Sequence, residues 1–131
     1  MEKSKHLIEI LENEGFKNST IFSPDIFDPD VLEQVRKVIR ENLTKTKTIR
    51  ENSYTRSYSL KHNIEKYLQS DGESCHIYNG LLIYAMYLEG FRIRRAYNDS
   101  KNAYFNVSTI SVRKLMVKSG IDDLRTKRFQ K

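Results

Sequence analysis

Residues 79–107 read NGLLIYAMYLEGFRIRRAYNDSKNAYFNV, and the change of period inside this stretch decides the fold. From Leu81 to Leu88 every residue is apolar or aromatic, which suits a helix buried on nearly all sides. Asn79 is placed to cap it, and the spacing predicts a helix over 80–89. Gly90 followed by Phe91 reads as a helix stop with its apolar anchor. After Gly90 the period drops to two. Phe91 and Ile93 alternate with Arg92 and Arg94, and Ala103, Phe105 and Val107 alternate with Tyr104 and Asn106. NDSKN, residues 98–102, is the turn between them. The stretch is therefore a core helix followed by a β-hairpin with one apolar and one arginine-rich face.

Working outward, Ser57 and Ser59 are both candidate caps for a preceding helix, with Leu60, Ile64, Tyr67 and Leu68 inward and Arg56, Lys61 and Lys66 off that stripe. Asp71-Gly72 marks the turn after it. Further upstream, Asp28, Pro29 and Asp30 form a helix start, and Val31, Leu32, Val35, Val38 and Ile39 recur at helical spacing as far as about Leu43. Arg36, Lys37 and Arg40 then face water or a partner. The Thr44–Thr48 run, TKTKT, is an exposed connection, with an extended strand as the alternative. A helix over 4–14 is expected to end at Gly15, with 16–27 as a loop carrying aromatic anchors. At the other end, a helix over 111–119 buries Val112, Leu115 and Met116 and stops at Gly120. A basic tail, 121–131, is expected to be mobile.

The chain has 131 residues with one Cys, two Pro and no Trp. That is the size of a single domain, and one cysteine excludes an internal disulfide framework. Hydrophobic residues are 38% and aromatic residues 11% of the total, enough for a packed core. The eight-residue apolar run is far shorter than the ~20 residues a bilayer requires. MEKSKHLIEILENEG lacks the apolar centre of a signal peptide, so a location inside the cell is expected. The expected fold class is α+β: a mostly helical single domain over 1–131 with one basic β-hairpin, built on a helix–helix–hairpin core over 57–107 and loosely winged-helix-like.

The formal charge of +6 is unevenly distributed. Residues 1–35 carry −5, residues 36–66 carry +6, residues 67–90 carry −3 and residues 91–131 carry +8. Two basic blocks thus flank an apolar centre. If they meet in space they form one positive face, the footprint of a phosphate-backbone binder. The hairpin is the leading surface. Arg92, Arg94, Arg95 and Lys101 are candidates for phosphate contact, Tyr97 and Tyr104 for stacking on an unpaired base, and Arg56, Lys61 and Lys66 for flanking contacts. The competing reading has the arginines solvating the sheet or pairing with nearby acids. The apolar helix cannot be a major-groove reading helix, because beyond two tyrosine hydroxyls it offers nothing to base edges.

Catalytic signatures are weak. Cys75 and His76 are neighbours that point opposite ways in an extended segment. His6, His62 and His76 are scattered, and His62-Asn63 has no acidic cluster at ligand spacing. Glu65 and Glu89 lack a partner carboxylate for acid–base work. No catalytic residue, metal or organic cofactor is expected.

Three stretches, SYSLKHNIEKYL (Ser57–Leu68), YNGLLIYAMYLEGF (Tyr78–Phe91) and NAYFNVS (Asn102–Ser108), together resemble a module in small proteins of phages, plasmids and other mobile elements of Gram-positive bacteria. A related domain accompanies some staphylococcal anti-CRISPR proteins. Lys61, His62 and Glu65 match the module's polar positions, in a structural or a binding role, and the module brings no catalytic residues. The two basic blocks and the resemblance together point to an accessory protein of a mobile element that binds nucleic acid, single-stranded included, or a nucleoprotein complex, with a cytoplasmic location expected from the absent signal segment. The alternatives are a host-defence inhibitor that contacts a CRISPR-type nuclease, and an assembly subunit that pairs with itself.

Overall fold

The order of elements follows from where the chain can bury apolar side chains. The computed structural model describes residues 27–70, 76–96 and 101–120, together with the backbone of 11–12 and 15–16. It is an α+β domain with one hydrophobic core among the described residues.

Strands β1 (Leu11–Glu12) and β2 (Gly15–Phe16) pair antiparallel, with Leu11 opposite Phe16 and Glu12 opposite Gly15, and lie against the core helix. This corrects the expectation of a helix running through residue 14. Gly15 is a strand residue rather than the stop of a helix. A polar-glycine signal marks a reversal of the chain in either case. The rest of that helix and most of the 16–27 loop lie outside the described residues, as do Cys75, Tyr97 and the 121–131 tail.

Helix α1 (Pro29–Asn42) starts as its sequence dictates. Asp28 Oδ1 accepts from the N–H of Asp30 at 2.8 Å and of Val31 at 3.3 Å, and Pro29 occupies the first turn, where no N–H is needed. Val35, Val38 and Ile39 are buried. Helix α2 (Ser57–Ser70) buries Leu60, Ile64 and Leu68, and helix α3 (Asn79–Leu88) runs through the middle of the domain between α1 and α2. Leu81, Leu82, Ile83, Ala85 and Met86 are all buried, and each large side chain contributes about 1.5–3 kcal/mol by leaving water. Two expected caps do other work. Ser57 Oγ accepts from the N–H of Ala103 at 3.1 Å. Asn79 donates to Lys101 O at 3.2 Å and to Asn102 Oδ1 at 3.0 Å, so residue 78 takes the cap position of α3. Both side chains tie a helix start to the hairpin instead of to their own helix.

Gly90, at φ +86°, ends α3 in the left-handed region that glycine tolerates, and Phe91 N–H closes the turn on Met86 O at 3.0 Å. Strands β3 (Ile93–Arg95) and β4 (Ala103–Phe105) pair antiparallel, with Ile93 opposite Phe105, Arg94 opposite Tyr104 and Arg95 opposite Ala103. Phe105 and Ala103 are fully buried. Ser108 then caps helix α4 (Thr109–Lys118) through its Oγ, which accepts from Ser111 N–H at 3.2 Å, and Gly120 at φ +76° follows the helix. Val112, Leu115 and Met116 pack against α1 and α2.

The TKTKT run is more than a connection. Lys45 forms an antiparallel bridge with Val107, and Thr46 N–H donates to Asn106 O at 2.8 Å. Beyond it, Phe105 N–H donates to Thr55 O at 3.1 Å, and Arg56 bridges Tyr104. Residues 44–46 therefore pair with 106–108 beyond the end of β3, while 55–56 pair along the other edge of β4 and cover backbone groups that would otherwise face water there.

Candidate nucleic-acid interface

The register of the hairpin builds the site. Directly opposed residues in an antiparallel ladder share a face. Arg94 is opposite Tyr104, and Tyr104 is bridged on its other side by Arg56. A row Arg94–Tyr104–Arg56 thus crosses the sheet, and the Arg56 guanidinium lies 5.9 Å from the Tyr104 ring centroid. Arg92, two residues before Arg94, is on the same exposed face and donates from Nη1 to Lys47 O at 3.1 Å. Arg94 Nη1 meets Glu51 Oε2 at 2.9 Å, with both side chains about half exposed, so the pair adds little to stability and leaves the guanidinium accessible. Lys47 and Arg50 are exposed on the segment between.

Both basic blocks of the sequence therefore contribute to one surface. Their joint is Asn106. The spacing places it on the outer face of the strand, yet it is 5% exposed. Its Oδ1 accepts from Arg92 N–H at 2.6 Å, and its Nδ2 donates to Thr46 O at 2.7 Å. The backbone ladder alone would leave these two groups short of partners, and the amide serves one of each kind.

Of the residues singled out from the sequence, Arg92, Arg94, Tyr104 and Arg56 are brought together here. Arg95 is not. It alternates onto the side of Ala103 and Ile93 and is half-buried. Lys101 is exposed where the chain enters β4, and Lys66 is exposed further along α2. Lys61 is the clearest correction. At 7% exposure it is buried, with Nζ 3.5 Å from Glu65 Oε2 and 5.4 Å from the Tyr58 ring. A lysine stem packs well against apolar surface, and an acid one turn away carries the charge inward. Lys47, Arg50 and Asn106 were not among the candidates. The alternation of Lys45 and Lys47 with threonines is the one signal that could have drawn attention to that segment.

Two glutamates are hubs of side-chain contact. Glu89, its side chain 9% exposed, receives Arg36 Nε at 2.6 Å and Arg40 Nε at 3.1 Å, so these arginines, while still reaching water, clamp α1 to the end of α3. Arg40 is held above its ordinary pKa, first by its hydrogen bond to Glu33, opposed by some desolvation and helped by the charge of Glu89. A guanidinium stays charged across the working pH range regardless. Glu65 accepts from Ile77 N–H at 2.7 Å and lies 3.2 Å from His62 Nδ1 and 3.5 Å from His76 Nδ1, which joins α2 to the segment before α3.

Among the described residues, no group of His, Cys, Asp and Glu side chains is arranged to hold a metal, and no helix is long and apolar enough to cross a membrane. Helix α3 is buried, so no reading helix is offered by that element. Comparison of the chain with protein-family models, with curated proteins and with solved structures finds no match.

Proposed function

We propose that the chain binds the phosphate backbone of nucleic acid through the face formed by Arg92, Arg94, Tyr104 and Arg56, flanked by Lys47 and Arg50. The observation that carries this reading is the physical joining of the two basic blocks. Arg92 reaches Lys47, and Arg56 covers Tyr104 across β4. Five cations, Lys47, Arg50, Arg56, Arg92 and Arg94, belong to this face, and Glu51 holds Arg94 in place without burying it. Guanidinium groups at strand spacing suit phosphate oxygens, and the Tyr104 ring between two of them suits a base face. Such a surface reads charge and shape rather than sequence.

The test is fluorescence anisotropy with labelled single strands and duplexes across a salt series, comparing wild type with the triple variant Lys47→Ala, Arg92→Ala, Arg94→Ala. Three lost phosphate contacts flatten the slope of log affinity against log salt by about 2 for a single strand and by nearly 3 for a duplex. A triple variant that folds and keeps both the affinity and the slope removes this face from consideration.

A further inference from the structure

We infer that the groove between the start of α2 and the start of α3 is a pocket for one unpaired nucleotide of a single strand. The inference rests on the phosphate-binding face proposed above and names the part of the ligand that face leaves unread. The groove has a volume of about 420 Å³ and is lined by Tyr58, Lys61, His76, Tyr78, Lys101 and Asn102, with Ile77 and Asn79 at its floor.

Its walls are aromatic and open. Tyr58 is 52% and Tyr78 46% exposed, in a domain that buries most of its other large apolar side chains. Neither ring is left to wander. His62 meets Tyr58 edge-on at 4.4 Å and 86°, and His76 meets Tyr78 edge-on at 5.0 Å and 83°. Both imidazoles approach the same carboxylate, Glu65, whose other contacts are the Ile77 N–H and Lys61. Glu65, its side chain 12% exposed, thus links the two histidines that flank the exposed rings, which reduces the side-chain entropy to be lost when a ligand enters.

The rim supplies charge and continuity. Lys101 is exposed at the mouth, and Asn102 is tied to Ser57 Oγ at 3.3 Å and to Asn79 Nδ2 at 3.0 Å. Arg56, Ser57 and Tyr58 are consecutive, so the groove opens beside the Arg94–Tyr104–Arg56 row. A strand whose phosphates follow that row has its next base at the tyrosines. Two aromatic side chains in the lining favour a planar π-face, and the exposed Lys101 at the rim favours an anion, the charge of Lys61 being met already by Glu65. A nucleotide combines both in a body that the groove accommodates. A duplex keeps its bases stacked inside and cannot present one here.

The experiment uses the full chain with labelled oligo-dT and oligo-U of about twelve nucleotides, and a duplex of the same length. Wild type is compared with Tyr58→Ala/Tyr78→Ala and with Tyr58→Phe/Tyr78→Phe, each checked for folding by circular dichroism. The alanine pair is expected to weaken binding of the preferred single strand by roughly tenfold or more, with the salt slope unchanged, because stacking releases no counterions. Duplex affinity is expected to stay the same, and the phenylalanine pair to bind like wild type. An alanine pair that binds single strands as wild type does overturns the pocket, even while loss of binding in the Lys47/Arg92/Arg94 variant upholds the basic face. Failure of wild type to bind any of the three oligonucleotides at low salt overturns both.

Discussion

Replacing Asn106 with alanine removes a side chain bonded at both ends. Arg92 N–H loses its acceptor at 2.6 Å, and Thr46 O loses its donor at 2.7 Å. A polar group left unpaired in a buried setting costs about 1–3 kcal/mol. Arg92 is exposed and Thr46 half-buried, so water recovers part of this at each. The expected net loss is about 2–3 kcal/mol. For a domain of this size that corresponds to a melting temperature lower by roughly 8–12 °C. Asn106→Asp keeps an acceptor for Arg92 but turns a carboxylate oxygen toward the Thr46 carbonyl, so the loss at neutral pH is at least as large. Urea unfolding followed by circular dichroism measures the loss, and amide hydrogen exchange locates it. The Arg92 amide should exchange faster in the alanine variant, while amides within α1 keep their relative protection. Because Asn106 joins segment 44–48 to the hairpin, the same variant is expected to bind nucleic acid more weakly without losing a single cation. A loss of stability below about 0.5 kcal/mol would show that the amide is not the joint between the two basic blocks.

Other substitutions probe the frame around this joint. Phe105→Ala empties a fully buried site beneath the hairpin and is expected to cost about 3–5 kcal/mol in thermal unfolding. Glu89→Ala should lower the urea midpoint clearly more than Glu33→Ala, since the Glu89 side chain is largely covered and shared by Arg36 and Arg40 whereas Glu33 is exposed and holds Arg40 alone. At Gly90, alanine meets only ordinary contacts with Lys45, at 3.5 Å, but must adopt φ +86°. The expected cost is about 1 kcal/mol, read from the unfolding midpoint, and a neutral result would mean that the backbone relaxes out of the left-handed region. Glu65→Ala frees the Ile77 N–H and both histidines. It should destabilise the domain by about 1–3 kcal/mol and broaden the Tyr58 and Tyr78 ring resonances in NMR spectra.

Much of the scaffold is legible in the residues themselves. The Asp-Pro-Asp start of α1, the unbroken apolar run of α3, the Gly-Phe stop and the two-residue alternation of the hairpin are local signals, and local backbone chemistry honours them. Burial of Ala103, Phe105 and Val107 follows from the same alternation. The reading goes astray where a side chain has a distant partner to choose. Ser57 and Asn79 look like helix caps, and a cap is the best use a polar residue can find nearby. In the folded chain each instead satisfies a group on the hairpin, and pattern within one segment cannot register that competition. Lys61 is similar, because its spacing puts it off the apolar stripe but not out of reach of the Tyr58 ring and Glu65.

Charge composition established that the chain carries two basic blocks, and periodicity established which strand faces hold arginine. Neither could establish that the blocks meet, because residues 46 and 106 are brought together only when 44–46 pair with 106–108 in the folded domain. The same holds for Tyr58 and Tyr78, which lie at the starts of two different helices and line one groove only when those helix starts pack together. Helix and strand periods are properties of consecutive residues and survive in the sequence. A surface is a property of elements packed against one another, and the hydrogen bonds that set its register are made by side chains whose partners only the tertiary structure selects.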